Sequence, residues 1–279
     1  MDLFAGGQAA ELLLAHLSRL CLSTVVDDSS ELTPLTFGDI LHEVLLHFGQ
    51  SSVKDSVVTS EIQQFLHDAL IKISERDYGE LSYPVIPVQL QQLKHRLDAF
   101  AQWQSLRARD GWTIHKCEFD CSSGVPISDE HPELLVRGRI DRIDYHPKRK
   151  QWAIFDYKSS ETGQTPKKVH NISDPPGWID LQLPLYRHLA KDITQQSKVE
   201  LGYINICNDT SLIREETAEW NEAELAEADT VALDAMLSIQ RGEFDIADGD
   251  SARFFSEYAY LLGDTALDGT LPIVTRREP

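Results

Sequence analysis

VRGRIDRIDYHPKRKQWAIFDYKSS, residues 136–160, reads as two short strands joined by the turn HPKRKQ. In GRIDRIDYH a period of two puts Arg139, Asp141 and Ile143 on one face and Ile140, Arg142 and Asp144 on the other, so the two aspartates point in opposite directions. WAIFDY is nearly all apolar, a composition suited to the middle of a sheet. Along it Phe155 and Tyr157 point one way, and Asp156 and Lys158 the other. Such a strand sets a carboxylate and an ammonium side by side at a buried end, which is costly unless the groups are paired or bind a metal. Residue types and period alone leave two readings open. One is a salt bridge at a strand end, Asp156 with Lys158 or an arginine. The other is a set of hard oxygen ligands beside one lysine, an arrangement that holds Mg²⁺ and activates a water. Asp144 faces away and reads as structural, pairing with a neighbour of Arg142 or with Lys148.

Upstream of the hairpin the pattern is helical. Residues 7–22 have helical apolar spacing, and Thr36 has the chemistry of an N-cap for FGDILHEVLLHFG, in which Phe37, Ile40, Leu41, Val44, Leu45 and Phe48 recur at three and four. A further helix is expected from about Ser60. Another spans Pro84 to Arg109, with Leu90, Leu93, Leu97, Phe100 and Trp103 as its stripe and Asp110-Gly111 as its stop. Trp112 to Cys121 then alternates as a strand, and SSGVPISDEHPE separates it from the hairpin. Residues 159–177 are polar and rich in Pro, Gly and Ser, the composition of a mobile surface loop. Beyond it come a helix over Trp178 to Lys191, strands in VELGYINIC and SLIREET, and a long helix over Trp220 to Arg241. The sum is an α/β domain, a sheet flanked by helices with a helical amino-terminal part. Residues 1–110 form the helical part and 111–279 the α/β core with its closing helices. Only a shift of pattern marks the boundary, so one structural unit is expected.

Bulk properties restrict the function. The 279 residues are 42% hydrophobic and 25% charged, values ordinary for a folded globular protein and unlike a disordered or fibrous one. The longest apolar runs fall short of a membrane span and the amino terminus has no basic leader, so a cytoplasmic location and no membrane partner are expected. A net charge of −19 argues against a chain that grips nucleic acid over a broad surface unaided. Four cysteines are too few and too scattered for a disulfide framework. Cys117 and Cys121 lie four apart, on one face of a strand by its period, and read as buried thiols in preference to metal ligands.

Four stretches together carry a resemblance. G-R-I-D-R-I-D, a turn and I-F-D-Y-K-S-S resemble the core motif of the PD-(D/E)XK nuclease superfamily, in particular its RecB and AddB branch. LTFGDILHEVLLHFG, residues 35–49, is similar to that branch's amino-terminal helix motif, a Gly followed four residues later by a His. DLQLPLYRHLA, residues 180–190, is similar to its Gln-x-x-x-Tyr helix, and the tail RGEFDIADGDSARFFSEYAYLL resembles the end of such domains.

The resemblance implies a restriction-endonuclease-like central mixed β-sheet and a metal-dependent DNA nuclease, exonucleolytic and serving repair or recombination. By position it makes Asp141 and Asp156 ligands of Mg²⁺ or Mn²⁺, with the backbone carbonyl of Tyr157 and the imidazole of His42 as further ligands. Lys158 would orient or deprotonate the attacking water, and Gln182 and Tyr186, one helical turn apart, would line the site and touch the nucleic acid or the lysine. Glu118, in the preceding strand, is a further acidic candidate, and Arg139 shares the Asp141 face and could meet phosphate or simply neutralise the carboxylates.

Many relatives of this branch carry an iron-sulfur cluster on four cysteines. Only Cys207 lies beyond the hairpin here, so no cluster is expected, and Phe254, Phe255, Tyr258 and Tyr260 would pack the tail instead. A helicase partner or domain would account for the acidic charge. The chain holds no G-x-x-x-x-G-K-[ST] phosphate loop, so any motor lies elsewhere. A second reading keeps the fold and drops the chemistry: a catalytically silent scaffold whose acidic surface contacts a protein. The intact set of Asp141, Asp156 and Lys158 favours the enzyme.

Overall fold

The computed structural model of the protein describes residues 31–79, 85–173, 176–195 and 197–243. The helix expected over residues 7–22 and the tail aromatics Phe254, Phe255, Tyr258 and Tyr260 lie outside the described residues, as does Cys21. The chain divides into two compact units, residues 26–233 and a unit of residues 1–25 with 234–279, of which 234–243 are described. Everything below concerns the first.

Three helices open it: α1 (Pro34–Gln50), α2 (Thr59–Tyr78) and α3 (Val85–Asp110). The N-cap of α1 is Thr33 and not Thr36; Thr33 Oγ1 accepts from the Thr36 amide, and Pro34 starts the helix where its missing N–H costs nothing. All six periodic apolar residues of α1 are buried, from Phe37 to Phe48. They meet Ile62, Leu66, Leu93, Leu97 and Phe100 in one core. The α3 stripe is buried as its spacing requires, with Trp103 partly buried at its edge. Gly111, at φ +106°, ends that helix.

The sheet follows. Strands β1 (Thr113–Pro126), β2 (Leu135–His146) and β3 (Gln151–Lys158) form an antiparallel meander. The segment expected to be a loop contains a short helix α4 (Pro166–His170) and a two-stranded ribbon, β4 (Asn171–Ser173) with β5 (Pro176–Trp178). The Thr165-Pro166 start favours a helical turn that a composition count does not register. Next come α5 (Gln182–Leu189), α6 (Lys191–Thr194), β6 (Val199–Asn205), β7 (Arg214–Thr217) and α7 (Glu222–Arg241). Helix α5 begins later than its apolar pattern suggests because Asp180 takes the Gln182 amide at 2.7 Å, and Trp178 is committed to the ribbon. Asn221 likewise accepts the Ala223 and Glu224 amides and holds back the start of α7.

Strand order is β1-β2-β3-β6-β7, with β3 and β6 parallel and every other pair antiparallel, so the sheet is mixed and flanked by helices. Helices α1–α3 cover the face that bears Phe155 and Tyr157. Helix α5 covers the other face, where Leu183, Tyr186 and Leu189 meet Ile154, Leu201 and Tyr203. Among the described residues no helix is long and apolar enough to cross a membrane.

Cys117 and Cys121 do not share a face. Cys117 packs against the α1–α3 core and Cys121 belongs to the α5 core. Between them Glu118 holds a left-handed backbone, φ +47°, which breaks the alternation that the spacing assumed.

Candidate active site at the meeting of α1, the hairpin and α5

The β2–β3 ladder pairs Arg142 with Phe155, which leaves Asp141 and Asp156 opposite one another at the next position. The Tyr157 amide donates to Asp141 Oδ2 at 2.9 Å. On the other side of β2, Cys117 pairs with Arg142 and Phe119 with Ile140, so Glu118 falls across from Asp141. Three neighbouring strands therefore deliver three carboxylates to one place.

His42 arrives from α1 over the edge of this group. Its Nδ1 lies 3.4 Å from Glu118 Oε1 and 3.7 Å from Asp141 Oδ2, and its ring meets Tyr157 edge-on. Ligand atoms of His42, Glu118 and Asp141 all lie within 4.8 Å of one another. Gly38, one turn earlier on α1, faces Ser159 at the end of β3, where a Cβ would lie 3.6 Å from Ser159 Oγ. That close approach lays α1 along the strand end and brings His42 over it.

Lys158 Nζ stands 2.8 Å from Asp156 Oδ2, and the lysine is about a quarter exposed. Tyr186, from α5, donates to Asp156 Oδ1 at 3.4 Å, and Gln182 Nε2 donates to the Tyr186 hydroxyl at 2.8 Å. The hydrogen bonds of Gln182 and Tyr186 thus run to Asp156 and not to the lysine. Arg139 caps the cluster from solvent, its Nε 2.7 Å from Glu118 Oε2.

The family profile of the PD-(D/E)XK nuclease superfamily matches residues 13–254. The chain belongs to that superfamily. No curated protein matches the chain. Asp156-Tyr157-Lys158 has the acidic-x-Lys pattern of the superfamily's name, and Ile140 stands before Asp141 where that name has proline.

Burial first, and charge crowding after it, set the electrostatics. Burial, followed by the Asp156 carboxylate, pushes the Asp141 pKa up to about 7, against the opposing pull of His42 and the Tyr157 amide. Burial alone would lower the pKa of His42, but the Glu118 hydrogen bond and the charges of Asp141, Glu118 and Asp156 outweigh it and hold it above its ordinary value. Tyr186 is held far above the usual phenol range by burial and by Asp156 and Asp141, so it stays protonated and donates.

This donor set suits a hard divalent cation: carboxylates with one imidazole, crowded enough to resist full ionisation, and fitting Mg²⁺ or Mn²⁺ chemistry. Asp156 Oδ2 is buried and accepts no well-aligned hydrogen bond, although Lys158 Nζ is within ion-pair distance. That oxygen keeps a lone pair for another partner. The thiols do not join the set. Burial pushes the Cys117 pKa up to about 12, which keeps it protonated at neutral pH.

Asp144 points to the opposite side of β2, into the core. Arg142 grips it through Nε and a terminal nitrogen at 2.7 and 3.0 Å, and Arg107 of α3 adds a contact at 2.8 Å. The pairing with Lys148 or a neighbour of Arg142 is corrected to Arg142 itself plus Arg107. The reason is tertiary, since α3 carries Arg107 across the sheet face and its guanidinium stacks over Trp112 and Phe155. The opposing register of Glu118 and Asp141 could have ranked Glu118 higher among the site candidates, had the β1–β2 pairing been derivable. Arg107 carries no comparable signal.

Proposed function

We propose that the protein is a divalent-metal-dependent DNA nuclease of the RecB and AddB type, a phosphodiester hydrolase acting exonucleolytically in repair or recombination. The observation that carries this reading is the convergence of His42, Glu118 and Asp141 with Asp156 and Lys158 on one end of the hairpin. His42, Asp141, Asp156 and the Tyr157 carbonyl would hold Mg²⁺ or Mn²⁺, and Glu118 joins them because its carboxylate already contacts His42. A bound cation would supply Lewis acidity at a nonbridging phosphate oxygen.

The protein's own groups do the rest. Lys158, ion-paired with Asp156 and about a quarter exposed, directs its remaining N–H groups at the attacking water and at the phosphate oxygens that gain charge. Tyr186, protonated and anchored by Gln182, holds the Asp156 carboxylate by its other oxygen. Arg139 is exposed beside Glu118, where a phosphate of the strand could exchange for part of that ion pair. Water attacks phosphorus in line with the departing oxygen, and no covalent enzyme intermediate is needed.

The helices before residue 111 and the sheet after it work together in this scheme, because His42 comes from the first and the carboxylates from the second. The net charge of −19 supports a helicase partner or domain that holds the duplex, with the nuclease receiving an end. A cytoplasmic protein without an iron-sulfur cluster is consistent with the scattered cysteines.

The deciding experiment compares wild type and Lys158→Ala on end-labelled linear and circular DNA with Mg²⁺, Mn²⁺ or EDTA. Cleavage of linear DNA that needs the metal and is lost in the variant is expected. Equal cleavage by the variant would remove the reading, and attack on circles would replace exonuclease by endonuclease.

A further inference from the structure

Beneath Lys158 lies a buried polar chain that hydrolysis as described does not use. Lys158 Nζ sits 4.8 Å from the centroid of the Tyr203 ring. Tyr203 is fully buried on β6, paired in parallel register with Asp156. Its hydroxyl meets Nε2 of the fully buried His170 at 2.5 Å. His170 Nδ1 in turn lies 2.9 Å from the Asp180 backbone carbonyl and 3.3 Å from Asp180 Oδ1. Both of those oxygens accept, so Nδ1 carries the proton, and in the neutral ring Nε2 accepts from the Tyr203 hydroxyl.

The ring therefore has no freedom to turn. His170 is also packed edge-on against Trp220, whose indole N–H is bonded to Asn171. Asp180 has a second duty: its side chain takes the Gln182 amide and so starts the helix that carries Gln182 and Tyr186. One residue thus anchors both the wall against Asp156 and the floor under Lys158.

Lysine has a flexible four-carbon stem, and a single ion pair to Asp156 leaves its ammonium a range of positions. An aromatic face beneath it removes most of them, since the cation is attracted to the ring and cannot pass through it. Resting on the nuclease reading above, we infer that Tyr203 is a positioning residue for Lys158, its ring holding the ammonium against Asp156 and itself locked by His170 and Asp180.

The test measures kcat and KM on linear DNA, Mn²⁺ affinity by calorimetry, and melting temperature for wild type, Tyr203→Leu, Tyr203→Met, Tyr203→Phe and Lys158→Ala. In Tyr203→Leu, kcat is expected to fall roughly 10- to 100-fold, the scale of a displaced catalytic group, with KM and Mn²⁺ affinity within about twofold of wild type. Tyr203→Phe keeps the ring and should recover most of that kcat despite losing the His170 bond and some melting temperature. Tyr203→Met, similar in volume to leucine but longer and more adaptable, should behave like Tyr203→Leu if the latter does not fold. The inference is overturned if the Leu and Met variants keep wild-type kcat. It is equally overturned if Tyr203→Phe is as slow as they are, or if Mn²⁺ affinity falls in step with kcat. Wild type without nuclease activity, or Lys158→Ala with full activity, removes the nuclease reading itself and this inference with it.

Discussion

The amide of Tyr157 donates to Asp141 Oδ2 across the β2–β3 ladder at 2.9 Å, so the peptide between Asp156 and Lys158 is also what holds the carboxylate of the neighbouring strand. Backbone geometry and charge crowding are thereby joined in one place. Asp141 is kept close to Asp156 by a bond it cannot easily leave, and its burial, with that repulsion added, appears as a raised pKa.

Asp141→Asn should separate stability from chemistry. The amide oxygen can still accept from Tyr157, while the buried charge is gone. The melting temperature in EDTA is expected to equal or exceed that of wild type, and the rise seen on adding Mn²⁺ to wild type should vanish together with cleavage. A variant that melts earlier in EDTA would contradict the strain assigned to this carboxylate.

Metal affinity should depend on pH with a definite sign. Asp141 has a folded pKa of about 7 against an ordinary 3.8, and His42 is also raised, so both retain protons that a cation must displace. In the metal-free protein the contribution of Asp141 to stability is fully present below pH 3.8 and is lost as pH rises through 7. Mn²⁺ affinity is expected to rise by about tenfold per pH unit for each proton displaced below these pKa values, and to level above them. Calorimetry in buffers of different ionisation enthalpy counts the protons. Binding at pH 6 that releases none would refute the assignment.

Glu118→Gln tests the ligand that the strand register adds. Mn²⁺ affinity should fall by about 10- to 100-fold, the usual cost of disturbing a ligand or its support, and Arg139 loses its partner. Unchanged affinity, measured by the same titration, would return Glu118 to a purely electrostatic part.

Asp144→Ala should be among the most damaging substitutions although it touches no site residue. It leaves Arg142, wholly buried, without a carboxylate, at a cost of about 3–5 kcal/mol. Urea unfolding would read this directly, and a loss below about 1 kcal/mol would show that the surrounding aromatic faces satisfy Arg142 by themselves.

Gly49→Ala probes the crossing of α1 over β1. A Cβ there would fall 2.1 Å from Cys117 Sγ and 2.7 Å from its Cβ, so the helix or strand must move. A loss of about 1–3 kcal/mol is expected, with cleavage reduced because His42 and Glu118 flank the contact. Adding Cys117→Gly removes the obstructing atoms and should restore part of both; no recovery would place the damage elsewhere.

Much of this could be read along the chain. The hairpin, the buried stripe of α1 and the placing of Asp156 and Lys158 on one strand face follow from periods of 2 and 3.6, because alternation and amphipathicity are local consequences of backbone geometry, whereas the mixed direction of the sheet came from the family resemblance. Period alone set Asp141, Asp156 and Lys158 near one strand end with a salt bridge and a metal site both open, and His42, Gln182 and Tyr186 became candidates only through the resemblance to the nuclease superfamily. What spacing could not give is who meets whom across elements. Glu118 reaches the site through a left-handed residue that breaks strand alternation. Arg107 reaches Asp144 only because α3 crosses the sheet. Thr33 takes the cap from Thr36, and α4 with its ribbon forms inside a stretch whose composition reads as loop. Tyr203, His170 and Asp180 come from a strand, a helix and a loop and lie under Lys158 because β6 runs parallel to β3. Contacts of that kind depend on the register and packing of whole elements, which depend on every residue of the core at once.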